Sequence, residues 1–116
     1  MITRQAIVDA LAAVPGVEAS TSVPPVITPG SAWPVWAQTT WLNMRSDGPR
    51  EQRWRVYVAL GQATPDSTAM EADPLIEPVG QALTDVGLTV ETVEPAQAPA
   101  TEGGATVPLL RFTVRD

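Results

Sequence analysis

A chain of 116 residues with a net charge of −6 and no histidine, cysteine or lysine lacks the usual neutral-pH base, the thiolate and amine nucleophiles, and two of the commonest metal ligands. Its length suits one domain, which at this size buries roughly two-thirds of its unfolded surface, and the absence of cysteine excludes a disulfide scaffold or a thiolate zinc centre. An acidic balance suits phosphate gripping poorly, so the bulk chemistry favours a protein that binds or builds over one that reacts or wraps nucleic acid.

No apolar run approaches the ~18 residues of a membrane span. The opening MITRQAIVDALAAVPG lacks the basic head and long apolar core of a secretion signal, and Asp9 interrupts it. The expectation is a soluble protein kept inside the cell that makes it. Arginine wholly replaces lysine in an Ala-, Val-, Thr- and Pro-rich chain, which reflects GC-rich coding and not function.

The first element is an amphipathic helix from about Thr3 to Val14. Thr3 is placed to cap it, Ile7, Leu11 and Val14 share one face, and Pro15-Gly16 stops it. Residues 17–22 are short and β-leaning. Val23 to Pro34 carries four prolines and reads as an irregular extended segment or a sheet edge.

Val35 to Met44 is a strand by its β-formers, with both faces mixed, and Arg45 to Pro49 is a turn by composition. Arg50 to Leu60 alternates cleanly. Trp54, Val56, Val58 and Leu60 point one way, and Glu51, Arg53, Arg55 and Tyr57 the other, so a hairpin over 35–60 is predicted.

Gly61 to Ala72 reads as a polar loop, with a helical turn begun by Asp66 or Ser67 as the alternative. Asp73 then caps a second helix with Pro74 at its first position, running to Val86 and closed by Gly87, with Leu75, Ile76, Val79, Leu83 and Val86 as its buried stripe. Leu88 to Glu94 alternates as a strand. Residues 95–106 form a Gly/Pro-rich flexible loop, and Val107 to Arg115 closes the chain as a strand. The predicted class is α+β: a mostly antiparallel sheet of about four to five strands with two helices packed on one face, in a single domain spanning the chain.

Two surface features stand out. The segment from Arg45 to Arg55 holds four of the seven arginines, which serve either as a docking face for a carboxylate-bearing partner or as an ordinary strand face with cross-strand charge pairs. Trp33, Trp36, Trp41 and Trp54 lie close together, and aromatics beside arginines are typical of interface anchors. Trp54 is read as core. The candidate interface residues are Trp33, Trp36, Trp41, Arg45, Arg50, Arg53, Arg55 and Tyr57, with Arg53 and Arg55 meeting carboxylates of an adjacent subunit. Asp66, Glu71, Asp73 and Glu77 are acidic but lack calcium-loop spacing, and acids near a helix start are what the helix dipole favours. No catalytic residue, metal or cofactor is expected.

The layout resembles the tail terminator (tail-completion) proteins of long-tailed bacteriophages. The likeness lies in the helix ended by AAVPGVEAS, the stretch VPPVITPGSAWP, the strand RWRVYVALG, the helix DPLIEPVGQALTDVG and the closing strand LLRFTVRD. The family has no invariant catalytic or binding motif, so no residue role carries over. The resemblance implies a small subunit that closes into a ring, usually a hexamer, in the tail or neck of a virion assembled in the host cytoplasm. Its partners would be its own copies, the tail tube protein it caps and head-tail connector proteins, with DNA passing through the lumen without specific binding. Two other readings stay open: a connector or head-closure protein of the phage neck, and a non-enzymatic α+β interaction module.

Overall fold

The computed structural model of the protein describes residues 2–41, 50–61, 65–99 and 106–116, with side chains described for all of these except residues 50, 65–71, 98, 99 and 106. In chain order the elements are α1 (Arg4–Ala12), β1 (Glu18–Ala19), β2 (Ser31–Trp41), β3 (Arg50–Ala59), α2 (Pro65–Asp85), β4 (Thr89–Pro99) and β5 (Thr106–Arg115). The strands form one five-stranded sheet in the order β1-β2-β3-β5-β4. Only the short β1–β2 pair is parallel; the other three are antiparallel. This is the expected α+β arrangement.

Both helices cover the same sheet face because each carries an apolar stripe matching the inward positions of the strands. Ile7 and Leu11 of α1 and Val79 and Leu83 of α2 are fully buried with Val56, Val58, Phe112 and Val114. Side chains of this size contribute roughly 1.5–3 kcal/mol each on burial. Thr3 caps α1 as expected, its hydroxyl accepting from the Ala6 N–H at 3.2 Å. At the far end of α2, Gly87 takes φ +106° and the Leu88 N–H donates back to the Leu83 carbonyl at 3.1 Å, which closes the helix.

Three element boundaries differ from the sequence reading. The second helix begins at Pro65, eight residues before the Asp73 cap that the Asp-Pro pair advertises. Pro74 and Pro78 therefore lie inside it and leave the Met70 and Pro74 carbonyls without their i+4 donors. Both prolines are exposed, so those carbonyls face water. Ala72 joins the core, while Ile76, expected in the stripe, is 37% exposed.

The second strand begins at Ser31, within the stretch its prolines marked as irregular. The Ala32 carbonyl accepts from Ser20 beyond β1. By alternation Pro34 faces that same open edge, so its missing N–H removes no bond to β3. A bulge between Trp36 and Gln38 then shifts the register. As a result Val35, Gln38 and Thr40 share the face away from the helices, while Trp36, Thr39 and Trp41 share the helix side.

Residues 95–99, predicted as loop, extend β4 and pair with residues 106–110 of β5. The Leu60 N–H donates to the Pro108 carbonyl, so even-numbered residues of β5 turn toward β3 and odd-numbered ones toward β4. Glu94, opposite Arg111, then turns inward and Pro95 outward, where a proline is tolerated. The rest of the expected loop, 100–105, lies outside the described residues.

Candidate functional surface

The sheet face away from the helices carries Arg53 and Arg55 of the four predicted arginines. Cross-strand register puts Arg53 and Arg55 of β3 beside Arg115 and Thr113 of β5, with Arg111 opposite Tyr57. Glutamates answer some of this charge. Arg53 bridges Glu51 at 3.1 Å and Glu91 at 2.7 Å, and Arg111 holds Glu94 through Nε at 3.1 Å and Nη2 at 2.7 Å. Glu94 first, and then the Tyr57 hydroxyl, hold the Arg111 guanidinium above its ordinary pKa.

Arg53, expected to meet a neighbouring subunit, is bridged by two carboxylates of its own chain. Arg55, exposed, and Arg115, half-buried, carry no ion pair among the described residues. Glu18, paired with Ser31 at the β1 end, lies on the same face and is exposed, so the face carries both signs, and its described cations without an ion pair are Arg55 and Arg115.

Beyond the charges the same face becomes apolar. Trp33, Ala59 and Leu109 are buried there, with Ile27, Tyr57, Ala96 and Val107 packed against them. Trp33 stacks on Tyr57, its cross-strand partner, at 5.8 Å between centroids and 24° between planes. Trp33, expected at an interface, is 4% exposed within this cluster, against which Ile27 of the proline-rich segment packs.

Trp36 and Trp41 behave differently. They are 52% and 41% exposed, and Val35 beside them is 40% exposed. The Trp36 indole N–H donates to Thr39 Oγ1 at 2.9 Å, so its polar atom is satisfied within the chain and its apolar ring is what solvent meets. Trp54, one strand in, is core as expected, with the Arg4 guanidinium 5.7 Å from its ring centroid. Arg45 lies outside the described residues, as does the Arg50 side chain.

On the helix side the described charges have the opposite sign. Asp9, Asp73, Glu77 and Asp85 are exposed, with Arg4 the one cation on the described parts of the helices. Asp73, Pro74, Glu77, Pro78 and Gln81 line an open groove of about 430 Å³. Asp66 and Glu71 have side chains outside the described set. Among the described residues no group of three potential ligands comes together to hold a metal ion, and no helix is long and apolar enough to cross a membrane.

Sequence reasoning missed Arg111, Arg115, Glu91 and Glu94 as members of the charged face. The alternation of Leu110, Phe112 and Val114 with Arg111, Thr113 and Arg115 was visible, but not that β5 lies beside β3. No protein-family model matches this chain, and no curated protein matches it in sequence.

Proposed function

We propose that the chain is a structural, non-enzymatic virion protein whose copies close into a ring on the end of a phage tail tube, ending tube growth and presenting the surface to which the head joins. The observation that carries this reading is the aromatic margin of β2. There Val35, Trp36 and Trp41 stand exposed along β2, whose edge away from β3 pairs past Ala32 with no strand among the described residues. Exposed aromatic anchors are typical of assembly surfaces. The layout of helices, proline-rich stretch and closing strand supports the same reading.

Ring formation requires unlike patches on one subunit, one meeting the other on the neighbour. The aromatic margin is one such patch. DNA passes the lumen of such a ring unbound, repelled by the overall negative charge. The test is light scattering of the purified protein alone and with tail-tube protein, followed by imaging. Rings seated on tube ends are expected. Protein that remains monomeric and ignores tubes would remove the terminator role.

A further inference from the structure

The fold has two layers, and the described charges left without an ion pair include arginines on the sheet face and carboxylates on the helix layer. The open sheet face presents Arg55 and Arg115 without partners among the described residues. The helix layer presents Asp9, Asp73, Glu77 and Asp85 against Arg4. We infer that the sheet face is covered by the helix layer of a second copy of this chain, with Arg55 and Arg115 meeting carboxylates of that copy's α2.

Arg115 lies directly across the strands from Arg53, whose charge Glu51 and Glu91 already answer, so Arg115 is the member of the pair open to an outside carboxylate. Asp73 and Glu77 stand one helical turn apart, a spacing at which like charges repel. Arginine pairs bidentately with carboxylates, so one interface answers Arg115 and offsets the repulsion on α2.

The two surfaces lie on opposite sides of the subunit. The contact is therefore head-to-tail, and each added copy exposes the same two surfaces again. Val35 belongs to the sheet face opposite Arg55 and is 40% exposed, so it adds apolar area at the margin of the contact. The inference rests on the self-association in the reading above but names its own surfaces, which makes it separately testable.

The experiment is a charge swap read by light scattering at low and high salt. Arg55→Glu/Arg115→Glu and, separately, Asp73→Arg/Glu77→Arg are each expected to weaken self-association by ~10-fold or more. Mixing the two variants is expected to restore it, because the reversed faces are complementary. The restoration also shows that both variants are folded.

Variants that associate as the wild type does, or a mixture that fails to associate, would overturn the inference. So would retention of a short DNA duplex by the wild type that Arg55→Glu/Arg115→Glu abolishes, since phosphate would then be the occupant of the arginine face. Tube capping is scored in parallel. Capping that survives the arginine variant sinks this interface and leaves the terminator reading standing. Swap-rescued association without capping does the reverse.

Discussion

Arg53 of β3 and Arg115 of β5 face each other directly across the sheet. The pairing is tolerated because Glu51 and Glu91 both reach Arg53, leaving Arg115 the member of the pair with no ion pair among the described residues. Local ion pairing thus decides which arginines are available outward.

That arrangement sets the first prediction. Glu91→Gln removes one of the two carboxylates on Arg53, a pair 37% and 30% exposed at its two side chains. At such exposure the loss is about 0.5 kcal/mol, and it shrinks as salt screens the pair. Urea unfolding at low and high salt measures both. A loss that does not change with salt would point to packing by Glu91 instead of charge.

The four tryptophans divide by burial. Trp33→Ala removes a ring that is 4% exposed and stacked on Tyr57, and is expected to destabilise the fold by about 3–5 kcal/mol. Trp36→Ala removes a ring 52% exposed and is expected to stay within roughly 0.5 kcal/mol of the wild type, while abolishing capping of tail-tube protein. Thermal melts of the two variants side by side separate the roles. Equal destabilisation would mean that Trp36 packs as core.

Gly16 and Gly30 both hold positive φ, +82° and +90°. A methyl group at Gly30 would collide with the Gly16 carbonyl, whereas one at Gly16 meets open space. Gly16→Ala is expected to cost about 1–2 kcal/mol, from backbone strain alone. Gly30→Ala should cost more, because the backbone of the α1–β1 connection has to move as well. Chemical denaturation of the pair ranks them, and the reverse order would contradict the close approach.

The start of α2 can be tested through its prolines. If Asp73 capped the helix, Pro74 would occupy a favoured first position and Pro74→Ala would bring no gain. With the helix beginning at Pro65, Pro74→Ala restores a bond to the Met70 carbonyl. The substitution is then expected to stabilise by about 1–3 kcal/mol, together with a rise in helical circular dichroism.

How far the sequence could be read depended on whether its signals were local. The alternation of Trp54, Val56 and Val58 located β3 within a residue, because the inward face of a central strand is set by burial at every second position. Thr3 located α1 for a similar reason, since a capping side chain acts within its own turn.

The misplaced boundaries all involve proline. Pro34, Pro74 and Pro95 each read as a break, and each is accommodated where its missing N–H faces water or an open edge. That direction is a property of the sheet or helix and not of the dipeptide. The candidate surface was half legible. Trp36, Trp41 and Arg55, all exposed, came from composition and alternation. The partnership of Arg53 with Glu91, 38 residues away, and the packing of Ile27 against the Trp33 cluster depend on tertiary contacts that no local pattern encodes.

The two margins of the sheet are built alike. Each combines an outward-facing proline, Pro34 on β2 and Pro95 on β4, with a register break, at Trp36/Gln38 and at Val90/Thr92. A foreign strand arriving at either margin meets a gap in the row of donors and a local twist, so it cannot zip along the backbone. Both margins thus oppose strand-to-strand addition, the route by which sheet edges seed cross-β aggregates.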